Sequence, residues 1–342
     1  MIAGAERHGL TVALLPTWGD KVQRWWGVGP AIFSPAYREQ GVLRATERAA
    51  HYGYFLGSRY AHARNLVWIN GGDRSPGSAE PYPDEAGPEV AAVWQALGRG
   101  VREGDGGRHL MTYHPNGERS SALDFHTEGW LDFNMLQSGH SRRSPPNWAL
   151  IAQDRARTPV KPTLDGEPCY EDHPVQMNPE LGWFGADDAR RAAYTGFFSG
   201  ACGHSYGAHG VWQFLAAGRE PVSHARTPWR ASLALPGAEQ LRHLRALLLS
   251  RPLTSRRPDP ALVMSGEALA LRADDQLLVY LPHGEAVTAQ LEPPFGNARA
   301  SWFDPRTGET QGAKRNSDTN GHTFIPPSSD DWVLVLCPRL EV

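Results

Sequence analysis

The stretch Lys161–Glu171, K-P-T-L-D-G-E-P-C-Y-E, decides the fold. Lys161, Thr163 and Leu164 read as a short buried strand that Gly166 and Pro168 break abruptly. Asp165, Glu167 and Glu171 stand at the break, with Tyr170 among them. An α/β barrel carries its chemistry at the C-terminal ends of its strands, so a strand stopping on an acidic cluster fits that place. A turn whose carboxylates cap backbone N–H groups is the alternative. The other strand ends decide between them.

Upstream, apolar runs alternate with helical patterns, as parallel βα units do. Ala3–His8 reads as the tail of a helix ended by Gly9, and Leu10–Leu15 as a strand running into P-T-W-G-D. Then come a helix over Ala45–Ala63, a strand over Leu66–Ile69 ending in N-G-G-D, and a helix over Pro88–Val101. A strand over His109–Tyr113 ends at His114, and one within Trp130–Leu136 ends in Q-S-G-H. A helix over Trp148–Ala156 leads into the opening strand. Downstream lie a helix over Asp187–Phe198, a strand within Ser205–Phe214 and an amphipathic helix over Leu241–Leu249. Eight units close a barrel, and this pattern supplies six. An open doubly wound sheet gathers its ligand groups at one crevice, whereas here every strand ends on polar or aromatic residues. The expectation is therefore a (β/α)8 TIM barrel missing about its first two βα units, over residues 1–250.

Residues 251–260 are rich in Arg and Pro and read as a linker. From 261 to 342 short alternating runs (Ala261–Met264, Ala268–Arg272, Gln276–Leu281, Val287–Leu291, Ala300–Phe303, Trp332–Cys337) are separated by turns such as Asn320-Gly321. This is the pattern of an antiparallel β-sandwich. Asp304–Gly308 reads as a type I turn with Pro at its second position.

A net charge of -3 gives no electrostatic footprint for nucleic acid or an anionic membrane, and no apolar run is long enough to span a bilayer. Cys169, Cys202 and Cys337 form neither a metal pattern nor a disulfide framework. Met1–Leu10 lacks the features of a signal peptide. Twelve tryptophans suit stacking on sugar faces, although most tryptophans serve as core.

Two strand ends carry carboxylates suited to cleaving a glycosidic bond: Asp73 after Gly71-Gly72, and Glu167. One protonates the leaving oxygen while the other attacks or activates water, and a retaining pair stands about 5–5.5 Å apart. With two strands absent in front, these ends belong to the fourth and seventh strands of the barrel. Taken singly, Asp73 also fits a turn cap. His114, His126, His140, His204 and His209 fall at or near strand ends, but none has the H-x-x-x-H or H-x-H spacing of a local metal motif. They suit hydrogen bonding to sugar hydroxyls, and Trp18, Gln137, Tyr206 and Trp212 suit the same lining role. No metal and no cofactor is expected. A non-catalytic carbohydrate- or matrix-binding protein on a degenerate barrel is the alternative from another class, and metal-assisted hydrolysis is a third.

L-P-T-W-G-D (Leu15–Asp20), W-I-N-G-G-D-R (Trp68–Arg74), T-Y-H-P-N-G (Thr112–Gly117), F-N-M-L-Q-S-G-H (Phe133–His140), D-G-E-P-C-Y-E (Asp165–Glu171) and Y-G-A-H-G-V-W-Q-F (Tyr206–Phe214) together resemble the apiosidase-like glycoside hydrolases. The C-terminal module resembles the collagen-binding-type β-domain that accompanies them. The resemblance implies a (β/α)8 barrel and a retaining, exo-acting mechanism on plant cell-wall type glycans. By motif, Asp73 matches the general acid/base and Glu167 the nucleophile, with Glu171 its competitor. Trp18, His114, Gln137, His140, Tyr170, Glu171, Tyr206 and Trp212 are the expected substrate-binding residues. Family members begin with a strand carrying a G-D-T-x-W-type motif and a second strand, neither of which is present. The chain thus resembles a fragment, expected to be poorly soluble or inactive, and neither a secreted nor a cytoplasmic location follows from it. The sugar depends on loop shape rather than on these motifs.

Overall fold

In the computed structural model, the chain folds into two compact units, residues 1–137 with 153–166, and residues 138–152 with 167–342. The structure describes residues 1–24, 27–77, 87–252, 255–319 and 321–338. Residues 253–254 of the expected linker, Asn320 of the Asn320-Gly321 turn and residues 339–342 lie outside these.

The first unit is built on parallel strands: Val12–Leu14 (β1), Leu66–Gly71 (β2) and Met111–His114 (β3), followed by the short antiparallel Arg119–Ser120 (β4), then Asn134–Gln137 (β5) and Thr163–Asp165 (β6). Val12 pairs with Leu66, Trp68 with Met111, and Asn134 with Thr163. The Asp132 N–H donates to Met111 O at 2.8 Å and the Thr112 hydroxyl to Phe133 O at 2.6 Å, which brings the β3 segment beside the one leading into β5. Strands covered on both faces read as continuous apolar runs rather than alternating ones; every residue of β3 and β5 is buried. Helices Gly41–Tyr60 and Pro88–Asp105 flank them. Ala45, Ala49, Gly53 and Gly57, four apart and therefore on one face, are the buried residues of the first helix. Trp68, Trp94, Leu97, Val101, Met111, Tyr113, Phe125 and Trp130 form the core.

The second unit contains the two-residue strand Gly203–His204 (β7) and a β-sandwich. Its strands are Arg257–Pro258 (β8), Val263–Ser265 (β9), Leu269–Arg272 (β10), Leu277–Leu281 (β11), Val287–Ala289 (β12), Arg299–Phe303 (β13), Thr310–Gly312 (β14), Asn316–Asp318 (β15), Gly321–Phe324 (β16) and Trp332–Cys337 (β17). One six-stranded sheet runs β14-β13-β17-β11-β10-β8 and one four-stranded sheet β15-β16-β12-β9. Leu277, Val279, Leu281, Val287, Ala289, Trp302, Phe324 and Leu334 fill the space between them. The other face of the larger sheet presents Leu271, Leu278, Tyr280 and Val333 to helices Ala186–Phe198 and Pro236–Leu249.

One local expectation is corrected. Ser205–Phe214 is not a strand: β7 ends at His204, and His209–Trp212 is a helical turn. What it keeps of a strand is a single parallel bridge between Ala208 and Glu171, in which Gly207 O accepts the Glu171 N–H at 2.9 Å and the His209 N–H donates to Glu171 O at 2.9 Å. The Asp304–Gly308 turn is closed by the Gly308 N–H on Asp304 O at 2.8 Å.

Candidate active site

The end of β2 is a left-handed run: Gly71 has φ 84°, Gly72 φ 115° and Asp73 φ 60°. Non-glycine residues enter that region at a cost of about 1–3 kcal/mol, and such strain gathers at functional positions. Several bonds hold Asp73 there. Its N–H donates to His114 Nδ1 at 3.1 Å, and its carbonyl accepts from Arg74 Nη1 at 2.7 Å. Arg74 is itself buried, donating to Gln23 O at 3.3 Å and accepting the Tyr113 hydroxyl on its carbonyl at 2.9 Å. His114 Nδ1 also lies 2.8 Å from Pro115 O. That nitrogen accepts from Asp73 when bare and donates to Pro115 when protonated, one or the other. Trp18 faces the His114 ring at 5.8 Å and is 36% exposed. The first unit therefore gathers Trp18, Asp73 and His114. Gln137 lies at the end of β5, and its buried Oε1 has no hydrogen-bond partner among the described residues.

The second unit holds the rest. Glu167 follows β6 by two residues, and the Gly139 N–H anchors its carbonyl at 3.0 Å. His140 Nε2 stands 3.1 Å from Glu167 Oε1, while the Tyr170 N–H points at His140 Nδ1 from 3.4 Å. The His140 ring stacks on His173 (4.5 Å, 23°), and His173 meets His209 edge-on (4.3 Å, 66°). The Trp212 indole N–H donates to His209 Nδ1 at 2.9 Å, and His209 Nε2 lies 3.0 Å from Ser223 O. Trp212 is 45% exposed. Burial drives His173 down to about 3, with the neighbouring imidazoles of His140 and His209 adding to it and Pro174 O and Glu167 opposing. Burial lowers His209 as well.

Glu171 is placed differently. Its Oε2 accepts the Tyr206 hydroxyl at 2.6 Å and the Gly237 N–H at 2.9 Å. Burial raises its carboxyl above the usual range, against the pull of those two donors, and Asp172 and Asp187 add to the rise. Tyr206 is committed to this contact, and the Tyr170 ring packs at 4.5 Å on His140. His126 bonds Asn134 Oδ1 at 3.2 Å and Pro159 O at 2.9 Å, a structural post within the first unit.

His173 was not among the sequence candidates. Its signal was its place in E-D-H directly after the acidic cluster, but only the fold reveals that it links His140 to His209. Among the described residues no group of three His, Cys, Asp or Glu side chains is arranged to hold a metal ion. No described helix is long and apolar enough to cross a membrane.

Comparison with known proteins gives this arrangement its relatives. Residues 1–255 match the family described as "Apiosidase-like, catalytic domain", and residues 259–337 the "Putative collagen-binding domain of a collagenase". A solved glycoside hydrolase superposes with a TM-score of 0.82 at 28% identity, covering 100% of this chain and 76% of its own. A glycoside hydrolase family 5 structure from Bacteroides vulgatus has a TM-score of 0.82 at 29% identity, covering 99% and 72%. Another Bacteroides vulgatus structure, at 16% identity and TM-score 0.64, covers 99% and 62% and supports the fold alone. No curated protein matches. With the catalytic-domain match running through most of its length, the chain belongs to the apiosidase-like glycoside hydrolases.

Proposed function

We propose that this enzyme is a retaining, exo-acting glycoside hydrolase that releases terminal sugars from plant-type polysaccharides or oligosaccharides. The catalytic part, residues 1–250, is assigned to the (β/α)8 TIM-barrel class, joined through residues 251–260 to the sandwich of residues 261–342. The observation that carries the proposal is positional. Asp73 and Glu167 each stand two residues beyond the C-terminal end of a parallel strand, β2 and β6 respectively, where barrel enzymes keep their reactive groups.

In the first step Glu167 attacks the anomeric carbon, the glycosidic bond breaks, and Asp73 protonates the departing oxygen. A covalent glycosyl-Glu167 ester results. In the second step Asp73 takes a proton from water as that water attacks the anomeric carbon, which releases the sugar and frees Glu167. Glu167 is preferred to Glu171 as nucleophile because Glu171 Oε2 is already occupied by Tyr206 and Gly237. Trp18, 36% exposed, and Trp212, 45% exposed, suit stacking against sugar faces, and the unbonded Oε1 of Gln137 suits a hydroxyl donor. His114, His140 and Tyr170 complete the set assigned to the site, while the Tyr206 hydroxyl is held by Glu171.

The test is a screen of aryl glycosides followed by two variants. Glu167→Ala abolishes turnover of the best activated glycoside. Asp73→Ala slows the second step and is partly rescued by azide. NMR of the first-formed product shows the anomer of the substrate. Full activity in both variants, or an inverted first product, overturns the proposal.

A further inference from the structure

We infer that His140 is a positioning residue for Glu167, presenting it one fixed N–H from the end of a column of imidazoles. This rests on Glu167 being the nucleophile, as proposed above. The hydrogen-bond pattern sets the proton positions along the column. The Trp212 indole is a donor only, so His209 Nδ1, 2.9 Å away, is bare and its Nε2–H serves Ser223 O. His173 Nδ1 lies 2.7 Å from Pro174 O and donates to it, which leaves Nε2 bare. The Tyr170 backbone N–H is likewise a donor only, so it meets a bare His140 Nδ1, and the His140 proton sits on Nε2, directed at Glu167 Oε1. Each ring is neutral in this scheme.

A neutral donor suits a nucleophile. It orients the carboxylate through one oxygen without neutralising it, whereas an imidazolium forms an ion pair that damps the attacking charge. The groups facing His140 are Glu167, Tyr170 and His173, with His209 next along the column. His173, buried and stacked on the ring, fixes its plane. His209, tied to both Trp212 and Ser223, fixes His173 in turn. Hydrogen bonding of sugar hydroxyls, the role expected of His140 from sequence, leaves this stacking without a purpose.

The experiment compares full-length Glu167→Ala, His140→Phe and His140→Gln on the fastest aryl glycoside, with kcat/KM measured against pH. Phe keeps a ring against His173 and removes the donor; Gln restores an N–H near the Nε2 position. His140→Phe is expected to lose kcat/KM roughly 10- to 100-fold, the worth of a hydrogen bond to a charged group. Its acid limb moves to higher pH, because a carboxylate that loses a donor to its charged form binds protons more readily. His140→Gln recovers most of both. Wild-type rate and acid limb in His140→Phe overturn the inference while leaving Glu167 as nucleophile, as does an equal loss in both His140 variants without movement of the limb. Full activity in Glu167→Ala overturns the nucleophile assignment and the inference with it. Should His140→Phe fail to fold, nitrogen-15 NMR of the wild-type imidazoles decides: a neutral His140 protonated on Nε2 supports the inference, and a cation or the Nδ1–H form at neutral pH overturns it.

Discussion

Tyr206 donates its hydroxyl hydrogen to Glu171 at 2.6 Å, on the same carboxylate oxygen that accepts the Gly237 N–H. Gly237 lies in the first turn of helix Pro236–Leu249, behind Pro236. Glu171 thus does for this helix what an N-cap side chain does, satisfying a free N–H at the positive end of the dipole. A Cβ on Gly237 collides with that same Glu171 oxygen, which explains the glycine. Glu171 is therefore given over to architecture, and Glu167 is the glutamate proposed for chemistry.

That division is measurable. Glu171→Ala strands two donors in a buried place, each at a cost of about 1–3 kcal/mol, so its urea midpoint falls well below that of Glu167→Ala. Glu167→Ala strands the His140 N–H, so it loses some stability, less than Glu171→Ala, and it loses turnover. A destabilised Glu167→Ala beside a stable Glu171→Ala reverses the assignment.

Gly72→Ala tests the turn that delivers Asp73. With φ at 115° the backbone accepts a side chain only under strain. The new Cβ also falls 2.8 Å from the Trp18 ring, and the indole has to move. A loss of about 1 kcal/mol or more is expected, together with a change in tryptophan emission and a raised KM. Unaltered stability and emission would show that the turn is not built as described.

The column of histidines predicts an acid-side loss of stability. His173 folds with its ring neutral and titrates at about 3, below the ordinary 6.5, while the unfolded chain takes up a proton near that ordinary value. Between these two limits the unfolded state binds more protons, so stability falls as pH drops from about 6.5 toward 3. His209 acts in the same direction. Denaturation midpoints taken from pH 7 to pH 4 should decline, and His173→Phe should decline less steeply. Parallel slopes in the two proteins contradict the buried, neutral His173.

Much of this was legible in the chain, and the misses have physical reasons. β2, β3, β5 and β6 each end within two residues of their expected positions, because strands buried on both faces leave an unbroken apolar signal. The run 205–214 misled because its pairing stops at one parallel bridge, Ala208 to Glu171, before the helical turn His209–Trp212 begins. Thr310–Gly312 and Asn316–Asp318 carry almost no apolar residues, so nothing in their composition announces a strand. The acidic pair could be named from strand ends and family motifs. The architectural role of Glu171 could not, since it turns on Tyr206 and Gly237, far along the chain.

The pair Arg190–Asp331 offers the last test. Arg190 Nε and Nη2 grip Asp331 Oδ2 and Oδ1 at 2.9 and 2.7 Å, and the Tyr280 hydroxyl adds a bond to Oδ2 at 3.2 Å. Burial alone lowers an arginine, yet the hydrogen bonds and charge of Asp331 outweigh it and hold Arg190 above its ordinary value. The pair ties helix Ala186–Phe198 to the start of β17, and Arg190 Nη1 reaches Gln240 at 2.5 Å on the helix whose N-terminus meets Glu171. Removing one buried partner leaves an uncompensated charge, so Asp331→Ala should cost about 3–5 kcal/mol. Replacing both with apolar residues of similar size, Arg190→Met with Asp331→Leu, should recover much of that loss, because the desolvation of two charges disappears with them. Urea titration of the single and double variants reads the difference. A double variant as unstable as the single one shows that the bonds to Tyr280 and Gln240, rather than charge pairing, hold the helices to the sheet.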